Sequence, residues 1–198
     1  MSDDHLSPLP SDAPGHPGTR GIWTFVFIDM IVFMLLFLVY LSEKWRLWDS
    51  FIASQQLLDP VAGLASTFFL LTSSWCMAEA VVALRRADVR RTALWLNGAL
   101  VMGGLFIVNK LMEYSSKMLA GQLPGTDSFL TLYFVITGLH FVHVIGGMLF
   151  MSHCRARLSA EAGSGIFRKK LENVGLFWHF VDVLWLFIFP MLYLTALS

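Results

Sequence analysis

The sequence predicts an all-α integral membrane protein, a bundle of five transmembrane helices with a cytoplasmic N-terminus and a periplasmic C-terminus. Three observations lead there. Of 198 residues, 56% are hydrophobic and only 14% are charged, whereas an ordinary soluble domain carries about 25% charged residues. Five stretches each hold about 20 mostly apolar residues, enough to cross the hydrocarbon core of a bilayer. The basic residues that flank these stretches fall very unevenly on the two sides, which is what orients a membrane protein.

Residues 1–20 hold Asp3, Asp4, Asp12 and four prolines, with no apolar run. A cleavable signal needs a basic start and an apolar middle, so this stretch reads as a disordered cytoplasmic tail, and insertion rests on the first span. The transmembrane domain is expected over 21–198. Its first span runs over about 22–41. The second, about 60–84, opens at Asp59-Pro60, an N-cap acid before a proline at the first helical position. The third covers about 93–118. The fourth, about 128–152, follows Asp127. The fifth covers about 172–197, and Pro190 within it removes a helix hydrogen bond and kinks the chain. Small residues (Ser73, Ser74, Ala99, Gly103, Gly138, Gly146 and Gly147) dot spans two to four, where they let helices approach closely. The connection 42–59 mixes charges with Trp45, Trp48, Phe51 and Leu57 and is expected to lie along the outer interface.

One side of the five-span layout carries Arg20, Arg85, Arg86, Arg90, Arg91, Arg155, Arg157, Arg168, Lys169 and Lys170; the other carries Lys44, Arg46 and Lys117. The richer side is cytoplasmic by the positive-inside rule, which puts the N-terminus in the cytoplasm and the C-terminus on the far side. Cys76 and Cys154 have no C-x-x-C partner, so neither a disulfide framework nor a thiolate metal site is expected. With every loop but one short, any chemistry must sit in the bundle or in a partner.

Ionisable residues within spans are costly and mark function or internal pairing. Here they are Asp29, Glu79, Lys110, Glu113, His140, His143, His179 and Asp182. Asp29, Glu79, His143 and His179 lie at similar depth. Three readings compete. Histidines with carboxylates could bind a metal, as in a small membrane metalloenzyme, but the ligand number is low for that. The same groups could relay protons, as in a proton-coupled carrier using His140, His143 and His179. Or they satisfy one another and lock helix register: Lys110 with Glu113 at i,i+3, and His179 with a carboxylate. The structural reading carries the most weight, because a polar group left unpaired in hydrocarbon is expensive.

Four blocks resemble one family. Thr137-Gly-Leu-His140-Phe-Val-His143-Val-Ile-Gly146 resembles a T-G-x-H-x-x-H-V-x-x-G helix. Trp178-His179-Phe-Val-Asp182-Val-Leu-Trp185 resembles W-H-F-V-D-x-x-W. Glu113-Tyr114 resembles an E-Y pair, with Gly103 and Phe106 at fitting distances upstream. Ser66-Thr67-Phe-Phe-Leu-Leu-Thr-Ser73-Ser74 resembles N-T-x-x-L-L-x-S-S. Together, and in this order, they resemble subunit III of the haem-copper oxidases, the cytochrome c oxidase and quinol oxidase group. Asp29 stands where that family often has Glu, and Lys110 where it often has Gln. Five spans rather than seven resemble its short bacterial members, the third subunit of quinol oxidases and the accessory protein of bacterial nitric oxide reductases; Lys110 and the compact length incline the reading toward the latter.

The resemblance implies a non-catalytic subunit without redox cofactors of its own. The haem and the copper or iron would sit in a catalytic membrane subunit against which this chain packs. Phospholipids would be bound, and no nucleic acid is expected. It further implies a polar bundle core of Lys110, Glu113, His140, His143, His179 and Asp182. Asp29 and Glu79 would serve lipid headgroups or proton uptake. Arg85, Arg86, Arg90 and Arg91 would meet lipid phosphates, although topology control alone also accounts for those arginines.

Overall fold

The computed structural model describes residues 18–194, so most of the N-terminal tail and the last four residues lie outside it. Its helices are α1 (Arg20–Arg46), α2 (Trp48–Gln55), α3 (Pro60–Arg85), α4 (Val89–Leu119), α5 (Ser128–Glu161) and α6 (Gly165–Phe189), followed by a wider π turn over Pro190–Leu194. Five of them, all but the eight-residue α2, are long and apolar enough to cross a membrane. The five-span expectation therefore holds.

Local sequence chemistry sets the helix starts. The Asp59 carboxylate accepts from the Val61 amide at 2.9 Å, with Pro60 in the first turn. Asp88 accepts from Arg91 N at 2.9 Å, Asp127 from Leu130 N at 2.6 Å and Ser164 from Ile166 N at 3.2 Å. Each bond satisfies one of the amides that a helix start leaves without an intrahelical partner. Between α3 and α4 the chain turns at Ala87, whose φ is +58°. There Asp88 N reaches Ala83 O and Ala87 N reaches Leu84 O, the double closure that ends helices in the left-handed region.

α5 has 34 residues, about 50 Å at 1.5 Å per residue, so it outruns the hydrocarbon and continues past the apolar stretch through Arg155 and Arg157 to Glu161. The Ser42–Asp59 connection is not an open loop: it contains α2, which lies across one end of the bundle and buries Phe51, Ser54 and Gln55. That end is called the α2 end below, and the opposite one, carrying Arg85 to Arg91 and the α5–α6 turn, the basic end.

α6 is the central helix. Trp178, Val181, Trp185 and Ile188 are almost wholly buried in it, and α3 and α5 pack on either side. α3 and α4 form the most extensive pair. α1 is peripheral, resting on α5 and α6. Its buried residues, Asp29, Phe33, Tyr40 and Lys44, follow one stripe at spacings of four, seven and four, one face of a 3.6-residue helix. The rest of α1 turns Phe27, Met34, Leu35 and Leu38 outward, as a lipid-facing helix does. Two of the small residues are required by close approach. A Cβ on Gly147 would lie 2.6 Å from the Trp178 indole, and one on Gly103 would lie 2.5 Å from Met148 Sδ and 3.2 Å from the same indole. Gly138 and Gly146 face open space.

Candidate functional site: the polar groups of the bundle

Near the α2 end, Lys110 is completely buried. Its Nζ donates to Glu113 Oε2 at 2.9 Å and to the Tyr193 hydroxyl at 2.7 Å, with Tyr133 at 3.4 Å. Both phenols donate onward to Glu113 Oε1, Tyr133 at 2.7 Å and Tyr193 at 2.6 Å. The rings of Trp185, Tyr133, Tyr193 and Tyr114 surround the ammonium, their centroids 5.0 to 5.5 Å away, close enough for cation–π attraction. One cation and one anion thus share a closed set of bonds: each phenol accepts from Lys110 and gives its only proton to Glu113. Beside Glu113, Tyr114 donates to Thr137 at 2.8 Å.

A second layer seals this end. Gln55 of α2 donates to the Leu192 and Met191 carbonyls at 2.8 and 3.1 Å, and Tyr40 donates to Met191 O at 3.1 Å. These carbonyls lie in the π turn that begins at Pro190. Carbonyls of that turn are therefore bonded from α2 and α1. Lys117 donates to Leu57 O at 3.2 Å, and Ser54 to Asp127 at 2.8 Å.

Midway along the bundle, three residues of α3 receive three of α6. Trp178 Nε1 donates to Ser73 Oγ at 3.1 Å, which donates to Ala99 O at 2.7 Å. Trp185 Nε1 donates to Thr67 Oγ1 at 2.9 Å. Ser74 Oγ and His179 Nδ1 share a hydrogen bond of 2.6 Å. The spacing explains itself: Trp178 and Trp185, two turns apart, meet Ser73 and Thr67 on the antiparallel neighbour. Two of the motif blocks are thus the two halves of one interhelical zipper. The partner expected for His179 was a carboxylate; the structure supplies a hydroxyl instead, because Ser74 is the residue that α3 brings level with it.

Toward the basic end, His143 Nε2 lies 3.2 Å from Asp29 Oδ1, and its Nδ1 lies 2.7 Å from the Leu139 carbonyl. With Nδ1–H given to the carbonyl, the contact with Asp29 holds one proton between ring and carboxyl. Phe25, Phe33 and Phe177 pack around this imidazole. The four groups expected at one depth are therefore divided: Asp29 pairs with His143, His179 pairs with Ser74, and half-buried Glu79 joins neither pair.

His140 sits fully buried between Phe106 and Trp185, ring centroids 5.8 and 5.2 Å away. Both its nitrogens, Asp29 Oδ2 and Asp182 Oδ1 are buried without a hydrogen-bond partner among the described residues. Among those residues no group of three or more His, Cys, Asp or Glu is placed to hold a metal ion, so the metalloenzyme alternative loses its ligand set. Cys76 and Cys154 are free and buried.

At the basic end Arg85 Nε bonds Glu172 at 2.9 Å, Arg91 pairs with Asp88 at 3.3 Å, and Arg86 and Arg90 are exposed. The sequence reading missed Gln55, Tyr40, Tyr133 and Tyr193 entirely. Gln55 and Tyr193 did leave a signal, one as an amide in a predicted interfacial loop and the other three residues past a helix-breaking proline.

Comparison with known proteins agrees with this architecture. The sequence profile of cytochrome c oxidase subunit III matches residues 16–197. Cytochrome c oxidase subunit 3 of Bacillus sp. (strain PS3) is 29% identical over 178 residues, covering 89% of this chain and 85% of the relative. Quinol oxidase subunit 3 of Bacillus subtilis is 28% identical over 184 residues, covering 93% and 90%. Cytochrome bo(3) ubiquinol oxidase subunit 3 of Pseudomonas aeruginosa is 24% identical over 176 residues, covering 89% and 84%. This multi-pass bacterial inner-membrane chain belongs to the cytochrome c oxidase subunit III family, as a five-helix member whose role in its respiratory complex is non-catalytic.

Proposed function

We propose that this chain packs against the catalytic, haem-bearing subunit of a haem-copper oxidase, holds phospholipid at its cytoplasmic rim, and keeps that subunit durable and supplied with protons. The haem and the copper or iron belong to the partner. The names of the relatives support an oxidase over a nitric oxide reductase. In this reading the basic end is cytoplasmic and the α2 end periplasmic, as the arginines there favour.

The observation that carries the reading is how the motif side chains are used. Lys110, Glu113 and His179 are committed to Tyr133, Tyr193 and Ser74, and His140 is enclosed by aromatic rings. They act as glue between helices and present no group to a substrate. The Asp29–His143 pair, which joins the peripheral α1 to α5 toward the basic end, is the one suited to hold and pass a proton toward a partner. The test is purification of the chain from its own membranes. A stoichiometric haem-bearing subunit should accompany it, and oxidase prepared without it should lose activity faster during turnover. A separated chain that itself carries stoichiometric haem, copper or iron would overturn the proposal.

A further inference from the structure

The outward faces of the spans are not alike. Between Phe25 and Leu41 every exposed side chain of α1 is apolar, the composition that lipid tails accept. α3 differs. Its outward stripe runs through Leu64, Phe68, Leu71, Trp75 and Val82, all exposed and all on one face of a 3.6-residue helix. Half-buried Glu79 stands on the same stripe, four residues after Trp75 and three before Val82.

Depth makes Trp75 and Glu79 costly there. α3 has 26 residues, about 39 Å at 1.5 Å each, and the hydrocarbon half-thickness is about 15 Å. From the middle of the helix, Trp75 lies about 4 Å and Glu79 about 10 Å toward the basic end, so both are at hydrocarbon depth. The Trp75 indole is 57% exposed, although indole rings settle at the interface and not near the midplane. Among the described residues neither its Nε1–H nor the Glu79 carboxyl has a hydrogen-bond or ion-pair partner. The Trp95 ring of α4 meets Trp75 edge-on, centroids 5.1 Å apart, and extends the patch onto the neighbouring helix.

We propose that the patch of Trp75, Glu79 and Trp95 is where a transmembrane helix of the catalytic subunit docks, and that this helix presents a cationic or N–H donor to Glu79. Charge complementarity selects the occupant. A lipid tail offers neither a donor to the carboxyl nor an acceptor to the indole, and leaving such groups unmet in hydrocarbon is expensive. A second copy of this chain meeting the stripe through its own would oppose Glu79 with a surface that holds no cation from Leu64 to Val82. A large indole ringed by apolar side chains is also how interface anchors are built. The inference rests on the subunit packing proposed above and assigns that packing a face.

The test is photo-crosslinking of the assembled complex in its own membranes. The probe p-benzoylphenylalanine is placed at Leu71 or Val82, on the stripe, or at Leu35 on the outer face of α1, and adducts are identified by mass spectrometry. Both stripe positions should capture the haem-bearing subunit, and Leu35 should not. Glu79→Leu should retain about tenfold less of that subunit through detergent purification, the worth of one charge-assisted hydrogen bond. Glu79→Gln, which keeps an acceptor, should retain most of it. Capture at Leu35 but at neither stripe position, capture of a second copy of this chain, adducts to lipid alone, or wild-type retention in Glu79→Leu would each overturn the proposal. If the haem-bearing subunit co-purifies with the wild type and the stripe does not capture it, only this face fails; if none co-purifies, the subunit packing fails with it.

Discussion

The two ends of the bundle handle buried polarity in opposite ways. Near the α2 end, Lys110, Glu113 and the two phenols form a closed set in which the ammonium and both carboxylate oxygens are engaged. The buried atoms without partners, Asp29 Oδ2, Asp182 Oδ1 and the His140 nitrogens, all lie outside that set. An ion pair taken from water is tolerable only when its remaining bonds are filled. The α2 end meets that condition with help from Trp185 and three tyrosines. Among the described residues the basic half contains no such full set, and its carboxyl–imidazole contact joins α5 to the peripheral α1. The α2 end is closed upon itself by its own side chains, and the proton-exchange and lipid roles proposed above are assigned to the basic half.

Substitutions can break or sharpen that contrast. The largest effect should come from Glu113→Leu, which strands the Lys110 ammonium. A loss of about 3–5 kcal/mol is expected from removing one partner of a buried pair, read as a lowered melting temperature in detergent, and most of it should return in Lys110→Met/Glu113→Leu. If the double variant is as weak as the single one, the cluster is not a self-contained pair. Next comes Gly147→Ala, which drives a Cβ into the immobile Trp178 indole. Overpacking of this kind costs about 1–3 kcal/mol, and Gly103→Ala should cost less because the flexible Met148 can move. Equal losses at the two positions would show that Trp178 is not the rigid element. Ser74→Ala removes the hydroxyl that holds His179, for a loss of about 0.6–2 kcal/mol; an unchanged unfolding midpoint would deny the zipper its third rung. The smallest effect is expected from His140→Phe. Among the described residues no group hydrogen-bonds this ring, so an apolar ring of similar shape should shift stability by less than about 1 kcal/mol. A loss rivalling that of Glu113→Leu would erase the contrast between the closed set and the unpartnered groups outside it.

How much of this could be read beforehand depended on the range of the interaction. Lys110 and Glu113 lie on one helix, three residues apart, so their pairing follows from helical geometry alone. The Asp59-Pro60 start follows from cap chemistry. His179 illustrates the limit. Its burial in a span says that it needs a partner, but which atom of α3 stands level with it depends on how two helices slide past each other. Ser74 was visible only as a small residue and a motif position, with nothing to tie it to His179. Gln55 shows the same limit more sharply: nothing within residues 42–59 reveals that its amide will cap carbonyls more than 130 residues away.

The linear order of residues was sufficient for the membrane class, the five spans, the Asp59 cap and the subunit III motifs. Hydropathy over a span and bonds within one turn are local properties, and they survive without knowledge of any neighbour. Tertiary structure alone decided that Tyr133 and Tyr193 close the Lys110–Glu113 pair, that Ser74 rather than a carboxylate holds His179, and that Asp29 goes to His143. Those choices depend on the relative rotation and depth of packed helices, which are set by many side chains interlocking at once and are carried by no single segment.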